Sequence, residues 1–73
     1  MVLFDFSMLT GRIITVFGSR QAFAEAVGIS KGTLSMKLNN RSRITAEEVI
    51  RWADILCIDP AEIGLYFFTP KVR

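Results

Sequence analysis

The chain has 73 residues, of which 51% are hydrophobic and 22% charged, and we expect residues 1–73 to form a single domain. No apolar run approaches the roughly 18 residues that cross a bilayer, and the first residues lack the features of a signal peptide, so we expect a cytoplasmic protein that avoids membranes. With no histidine and a single cysteine, the composition argues against a metal, a cofactor, a small-molecule substrate and an enzyme.

The first predicted helix covers about residues 7–17. Its apolar residues follow the i, i+4, i+7, i+8 spacing of one helix face: Leu9, Ile13, Val16 and Phe17. Asp5 or Ser7 is suited to the N-cap, and Gly18 is a typical residue just past a helix end. These features predict a helix whose buried stripe faces the core.

The next two predicted helices are short and are joined by a tight turn. Ser19 is suited to cap the first, over 20–27, and Ser30 the second, over 31–38. Gly28 lies between them, where a left-handed turn costs glycine little. The inward residues would be Phe23, Ala24, Val27, Ile29, Leu34 and Leu38. This is the layout of a helix-turn-helix, whose second helix enters the major groove of DNA.

A fourth helix is predicted over about residues 46–57, after a polar loop. Thr45 and Glu48 have the spacing of a capping box at its start. Its buried face would contain Val49, Leu56 and either Trp52 or Ala53. Cys57 lies in an apolar stretch, so we expect a buried structural thiol.

The last predicted helix covers about residues 60–67. Asp59 is suited to cap it, and Glu62 has the spacing of a second capping box. Both chain ends are rich in apolar residues, and core filling is expected to use Phe6 and Ile63. The remainder either fills the core as well or forms a protein–protein interface, for which the candidate residues are Tyr66, Phe67 and Phe68.

Positive charge gathers around the predicted helix-turn-helix. Six basic residues against one acid give residues 12–43 a balance of +5, whereas three bases against five acids give residues 44–73 a balance of −2. Such a concentration is typical of a phosphate-facing surface. The alternative is a set of scattered, solvated charges.

Two strings in the chain resemble known proteins. The string G-S-x-x-x-F-A-x-x-x-G-I-S-x-x-x-L-S-x-K-L-N-N, from Gly18 to Asn40, resembles Cro/repressor-type helix-turn-helix proteins of temperate phages. The string L-x-I-D-P-A-E-I-x-x-Y-F-F, from Leu56 to Phe68, resembles a narrower group of small phage or prophage regulators, which contains Cro-like repressors and modulators of repression. The resemblance implies an all-α, compact five-helix bundle of the lambda-repressor-like DNA-binding type, located in the bacterial host and associated with the nucleoid.

The resemblance also implies roles for individual residues. Those that would read bases from the second helix of the motif are Lys31, Gly32, Ser35 and Met36. Those that would contact phosphates are Arg20, Lys37, Asn39, Asn40, Arg41 and Arg43. The family commonly carries glutamine where this chain has Arg20 and Lys31, and Gly32 offers no side chain. We therefore expect modest discrimination between DNA sequences.

Two functional hypotheses follow. The first is a sequence-specific DNA-binding transcriptional regulator, a Cro-like repressor that binds a double-stranded operator as a homodimer with half-sites about 34 Å apart. The second is an antirepressor or modulator that forms a hetero-complex with a phage repressor and does not bind DNA by itself. The first is the leading hypothesis, and the second is motivated by the few base-reading side chains, the low net charge of +2 and the surplus of apolar residues at the chain ends. A third, less favoured interpretation is a scaffold similar to an antitoxin module.

Overall fold

A computed structural model describes residues 3–71. The described part is all-α, as predicted, with a short 3-10 turn at Pro60–Glu62 before the last helix. Its five helices are α1 Ser7–Phe17, α2 Arg20–Val27, α3 Lys31–Leu38, α4 Ala46–Ile55 and α5 Ile63–Phe67. None of these helices has the length and apolar character that a membrane crossing requires, a statement that covers residues 3–71.

The start of α1 is capped from outside the helix. Phe6 occupies the N-cap position, and the Asp5 carboxylate accepts a hydrogen bond of 2.9 Å from the backbone N–H of Ser7. Bonds from the hydroxyl and the N–H of Ser7 hold the pKa of Asp5 below its ordinary value. The buried residues of α1 are Leu9 and Ile13. Val16 is exposed, so it does not belong to the buried stripe as predicted.

The predicted turn between α2 and α3 is present. The Ser19 hydroxyl accepts from a backbone N–H in the first turn of α2, and the Ser30 hydroxyl does the same in α3. Gly28 has φ +80, and the N–H of Ile29 donates to the carbonyl of Ala24 at 3.0 Å. These bonds satisfy backbone groups that a helix end otherwise leaves free, so the turn has one defined shape.

The core contains buried residues of all five helices, most of them on α1, α2 and α4. Edge-to-face aromatic contacts surround Phe23: the centroid of its ring lies 5.2 Å from that of the buried Trp52 and 5.4 Å from that of Phe17, which is partly buried against the core. The sequence predicts that either Trp52 or Ala53 is buried on α4, and in the structure both are buried. The capping box of Thr45 with its N3 glutamate is confirmed. This core holds α3 through Leu34, which is fully buried.

The end of α4 corrects the prediction for Cys57, which is exposed rather than buried. The helix ends two residues earlier than expected, and Cys57 adopts φ +56. The next residue, Ile58, donates its N–H to the carbonyl of Ala53 at 2.8 Å and buries its side chain. This six-to-one bond is the Schellman arrangement, in which the residue after the left-handed position supplies the apolar contact.

The two chain ends pair with each other. Phe4 forms an isolated antiparallel bridge with Pro70, and the N–H of Asp5 donates to the carbonyl of Thr69 at 2.8 Å. Phe6 is buried, as predicted. Ile63 is partly buried against the core. The pairing explains why a chain of this size carries apolar residues at both ends, because each end covers part of the other.

The start of the last helical segment differs from the prediction in one bond. Asp59 accepts from the N–H of Ala61 at 2.8 Å, and the N–H of Glu62 donates to the Asp59 carbonyl. The described cap is therefore a short 3-10 turn with an aspartate cap, rather than a second capping box with the Glu62 side chain. The tighter 3-10 geometry is frequent at helix starts.

We predict opposite effects of alanine at two glycines. Gly28→Ala places a Cβ at φ +80, which should lower the free energy of unfolding by about 1–2 kcal/mol. Gly11 lies inside α1 with open space around its Cα and without a positive φ, so Gly11→Ala should raise the free energy by up to about 1 kcal/mol. Urea unfolding of both variants measures the difference, and a shift of the same sign in both would contradict this account of the turn.

Candidate functional site

The outward surface of α3 is the first part of the candidate site. Leu34 faces the core, which leaves Lys31, Gly32 and Met36 exposed. Met36 is 48% exposed. Ser35, which is also predicted to read bases, is half-buried and therefore less accessible than these three residues. The outward face of α3 therefore consists of one cation, one glycine, small hydroxyl groups and a methionine.

Lys37 does not lie on this surface, which corrects its predicted role as a phosphate ligand. Its ammonium donates to the Glu48 carboxylate at 3.0 Å and to the Arg43 carbonyl at 2.8 Å. The Lys37 side chain is 11% exposed. It is neither a solvated charge nor a free cation, because its charge is matched by Glu48 inside the protein.

The Glu48 carboxylate takes part both in the capping box at the start of α4 and in the ion pair with Lys37. Partial burial alone would raise its pKa, but hydrogen bonds from the Thr45 N–H and from the Lys37 ammonium outweigh burial and hold the pKa of Glu48 below its ordinary value. The same oxygen, Oε1, closes the capping box and accepts from Lys37. The start of α4 and the end of α3 are thus bound to one charged group.

Asn40 also has a structural position rather than the predicted contact with phosphate. Its Oδ1 accepts from the N–H of Phe4 at 3.0 Å, and its Nδ2 donates to the carbonyl of Phe4 at 2.9 Å. With φ +62, Asn40 is one of the asparagines expected to take the left-handed turn. Asn39 stays exposed, and its Nδ2 donates to the Ser35 hydroxyl at 3.3 Å.

Four of the predicted cationic residues remain exposed: Arg20, Lys31, Arg41 and Arg43. The ion pair that the structure forms within residues 3–71 joins Lys37 to Glu48, so none of these four cations is neutralised by a described acid. Arg41 and Arg43 follow α3 directly in the loop to α4. The positive charge expected from the sequence is therefore present at the surface, but it is carried by fewer side chains.

The predicted C-terminal interface is only partly at the surface. Phe67 is 2% exposed and belongs to the core, which removes it from the candidate interface. The Tyr66 hydroxyl accepts from Nη2 of Arg12 at 3.0 Å, and the guanidinium of Arg12 lies 5.3 Å from the centre of the Tyr66 ring. Phe68 is 51% exposed and rests its ring edge-on against Phe4.

Leu65 is 54% exposed on α5, although the sequence analysis singles out only the neighbouring aromatic residues as interface candidates. The helical spacing contained the signal, because Ile63 and Phe67 are four residues apart and face inward, which puts Leu65 on the opposite side. Further exposed apolar residues lie on α1 and α4: Met8, Ile14, Val16 and Ile50.

The fold and its surface define a small helix-turn-helix protein with a weakly polar α3 and a cationic loop behind it. The chain belongs to the family described as "Protein of unknown function (DUF739)", which matches residues 2–70. None of the curated proteins matches it.

Among solved structures, the chain is similar to the modulator of repression (MOR) of the temperate bacteriophage TP901-1 from Lactococcus lactis. The two are 36% identical with a TM-score of 0.80, over 96% of this chain and 95% of that one. The chain thus closely resembles a small phage regulator, as the residues from Leu56 to Phe68 indicated. Membership of the Cro/repressor-type family stays a prediction.

The Lys37 contact predicts a change in the pH dependence of stability. The pKa of Glu48 is depressed in the folded state, so its contribution is present above the unfolded pKa and is lost as pH falls below about 5. Lys37→Met should lower the free energy of unfolding by about 1–2 kcal/mol near pH 7 and make its decline from pH 5 to 3 shallower. Urea titrations at several pH values measure both effects.

Lys31→Met is the matched control, because Lys31 is exposed at the start of the same helix. Its stability and its pH profile should stay close to those of the unmodified protein. Equal profiles for the two variants would contradict a structural role for Lys37.

Proposed function

We propose that this protein is a phage-type regulator that modulates a repressor by binding it through the exposed surface of α3. The observation that carries the proposal is the similarity to a modulator of repression, at 36% identity over 96% of this chain. A similarity that extends over nearly the full length of both chains supports a shared regulatory class. The proposed working form is a hetero-complex with the repressor.

The composition of the α3 surface supports a protein partner. Gly32 presents no side chain, and Met36 offers a flexible apolar contact of the kind that adaptable protein-binding surfaces use. Lys37 and Asn40, two of the cationic or polar groups expected to contact DNA, are bound within the protein. What remains suits an interface with a small apolar centre and a polar rim.

DNA binding is the second candidate function. The observation that favours it is the set of exposed and internally unmatched cations named above, with Lys31 on α3 and Arg41 just behind it. Such cations release counterions when they meet phosphates, which gives affinity for any duplex. A single motif of this size holds DNA weakly, so this function would require a homodimer on two half-sites.

The first test of the proposal is a substitution at the centre of the α3 surface. Met36→Glu should weaken binding to the proposed partner, a phage repressor, by at least about tenfold, because a carboxylate would replace an apolar contact. Isothermal titration calorimetry on the two purified proteins measures the dissociation constant. The unmodified protein alone should give no discrete gel shift with operator DNA at about physiological salt.

Ile50→Glu is the matched control, because Ile50 is an exposed apolar residue on a different helix, α4. It should bind the repressor as the unmodified protein does. The proposed surface would be contradicted if the unmodified protein gave no heat of binding, or if Met36→Glu and Ile50→Glu lost the same amount of affinity for the repressor.

The second candidate predicts a division of labour between two cations. Lys31→Ala should weaken binding to a specific operator by about 1–3 kcal/mol and weaken binding to random DNA less, because random DNA loses only the charge of Lys31 and not a base contact. Arg41→Ala should weaken binding to all sequences and reduce the slope of log K against log salt by about 1. Fluorescence anisotropy at several salt concentrations separates the two effects, and identical losses for both variants on both DNAs would refute the division.

A further inference from the structure

A groove lies behind α3, between the start of the chain, the loop from α3 to α4, and the end of α5. Its volume is about 570 Å³, which is within the range of small-ligand and peptide side-chain pockets. Apolar side chains line its floor: Phe4, Phe6, Ile44, Val49, Phe67 and Phe68. The functions considered above do not use the apolar lining of this groove, although Arg41 and Arg43, which also line it, are cations of the DNA-binding candidate.

The walls of the groove are held in place by bonds already described. Asn40 binds both backbone groups of Phe4, which ties the start of the chain to the loop. Lys37 binds the Arg43 carbonyl, and the N–H of Arg41 donates to the Met36 carbonyl at 2.8 Å. Both sides of the groove are therefore anchored, and a ligand would enter a preformed site with little ordering cost.

The rim of the groove is positively charged. Arg41 and Arg43 both line it, both are exposed, and neither pairs with an acid in the part of the chain that the structure describes. The carboxylate of Glu48, whose partner Lys37 also binds the Arg43 carbonyl, is already matched by the Lys37 ammonium. An apolar floor beneath two free guanidinium groups is complementary to a ligand with a large apolar group and flanking negative charges.

We infer that this groove binds a short acidic peptide segment of a protein partner, with an aromatic or aliphatic side chain packed on the apolar floor beside the contacting rings of Phe4 and Phe68. The carboxylates of the segment pair with Arg41 and Arg43 at the rim. Duplex DNA satisfies the rim but leaves the apolar floor unfilled, whereas an acidic segment with an apolar anchor satisfies both. The inference does not depend on whether α3 binds a repressor or DNA.

The test uses blocked hexapeptides as probes and the full chain labelled with ¹⁵N. The peptide EDLFDE should shift the amide resonances of the groove, above all those of Phe4, Arg41 and Phe68, in a saturable manner. EDSSDE lacks the apolar anchor and KKLFKK has the opposite charge, so neither should produce these shifts. Added salt should weaken the binding of EDLFDE, because exposed ion pairs are screened.

Substitutions then test the cationic rim and the apolar floor of the groove separately. Arg41→Ala and Arg43→Ala should each weaken binding of EDLFDE roughly two- to fivefold, the range expected for an exposed ion pair. Phe68→Ser should weaken it further through the loss of apolar floor. Arg51→Ala, which removes an exposed arginine of α4 that does not line the groove, should change nothing. Thermal unfolding of each variant establishes that it is folded.

Several outcomes would overturn the inference. One is equal binding of EDSSDE, which would reduce the site to charge alone, and another is unchanged affinity in both arginine variants. A third is binding of decanoate at the groove in the absence of peptide binding, which would assign the site to a small amphipathic anion. Met36→Glu should bind EDLFDE normally, so failure of the α3 proposal and failure of this one are distinguishable.

Discussion

The ammonium of Lys37 joins three parts of the chain that are separate in sequence. It bonds the Glu48 carboxylate at the start of α4 and the Arg43 carbonyl in the loop, from a position near the end of α3. A partly buried cation is stable only where its charge and its donors are matched, so this contact restricts the loop to a narrow set of shapes. The placement of α3 against α4, and of the cations that follow α3, depends on it.

The same loop separates two surfaces of different chemistry. On one side lies the α3 face, centred on Met36, with little to read a base sequence. On the other side lies the apolar groove under Arg41 and Arg43, closed by the bonds of Asn40 to Phe4. The two proposals made above assign one partner to each of these surfaces.

Local signals in the sequence were sufficient for most of the helices. The caps at Ser19, Ser30 and Thr45 act on backbone groups within three residues, and the glycine turn at Gly28 depends on its own φ. Such features involve neighbours in the chain, so they can be predicted without knowing the fold. Cys57 shows where this kind of prediction fails. Its left-handed backbone at the end of α4 turns its own side chain to the surface and places the side chain of Ile58 in the core.

The predictions for the site residues likewise divide into those that depend on local sequence and those that depend on the tertiary structure. The sequence by itself determined the helix-turn-helix pattern, the excess of positive charge near it and the resemblance to small phage regulators. Only the tertiary structure decided which polar groups are free: Lys37 and Asn40 are bound to partners 11 and 36 residues away. The physical reason is that a charge or an amide is available to a ligand only where the fold supplies no partner of its own, and distant partners leave no periodic trace in the sequence.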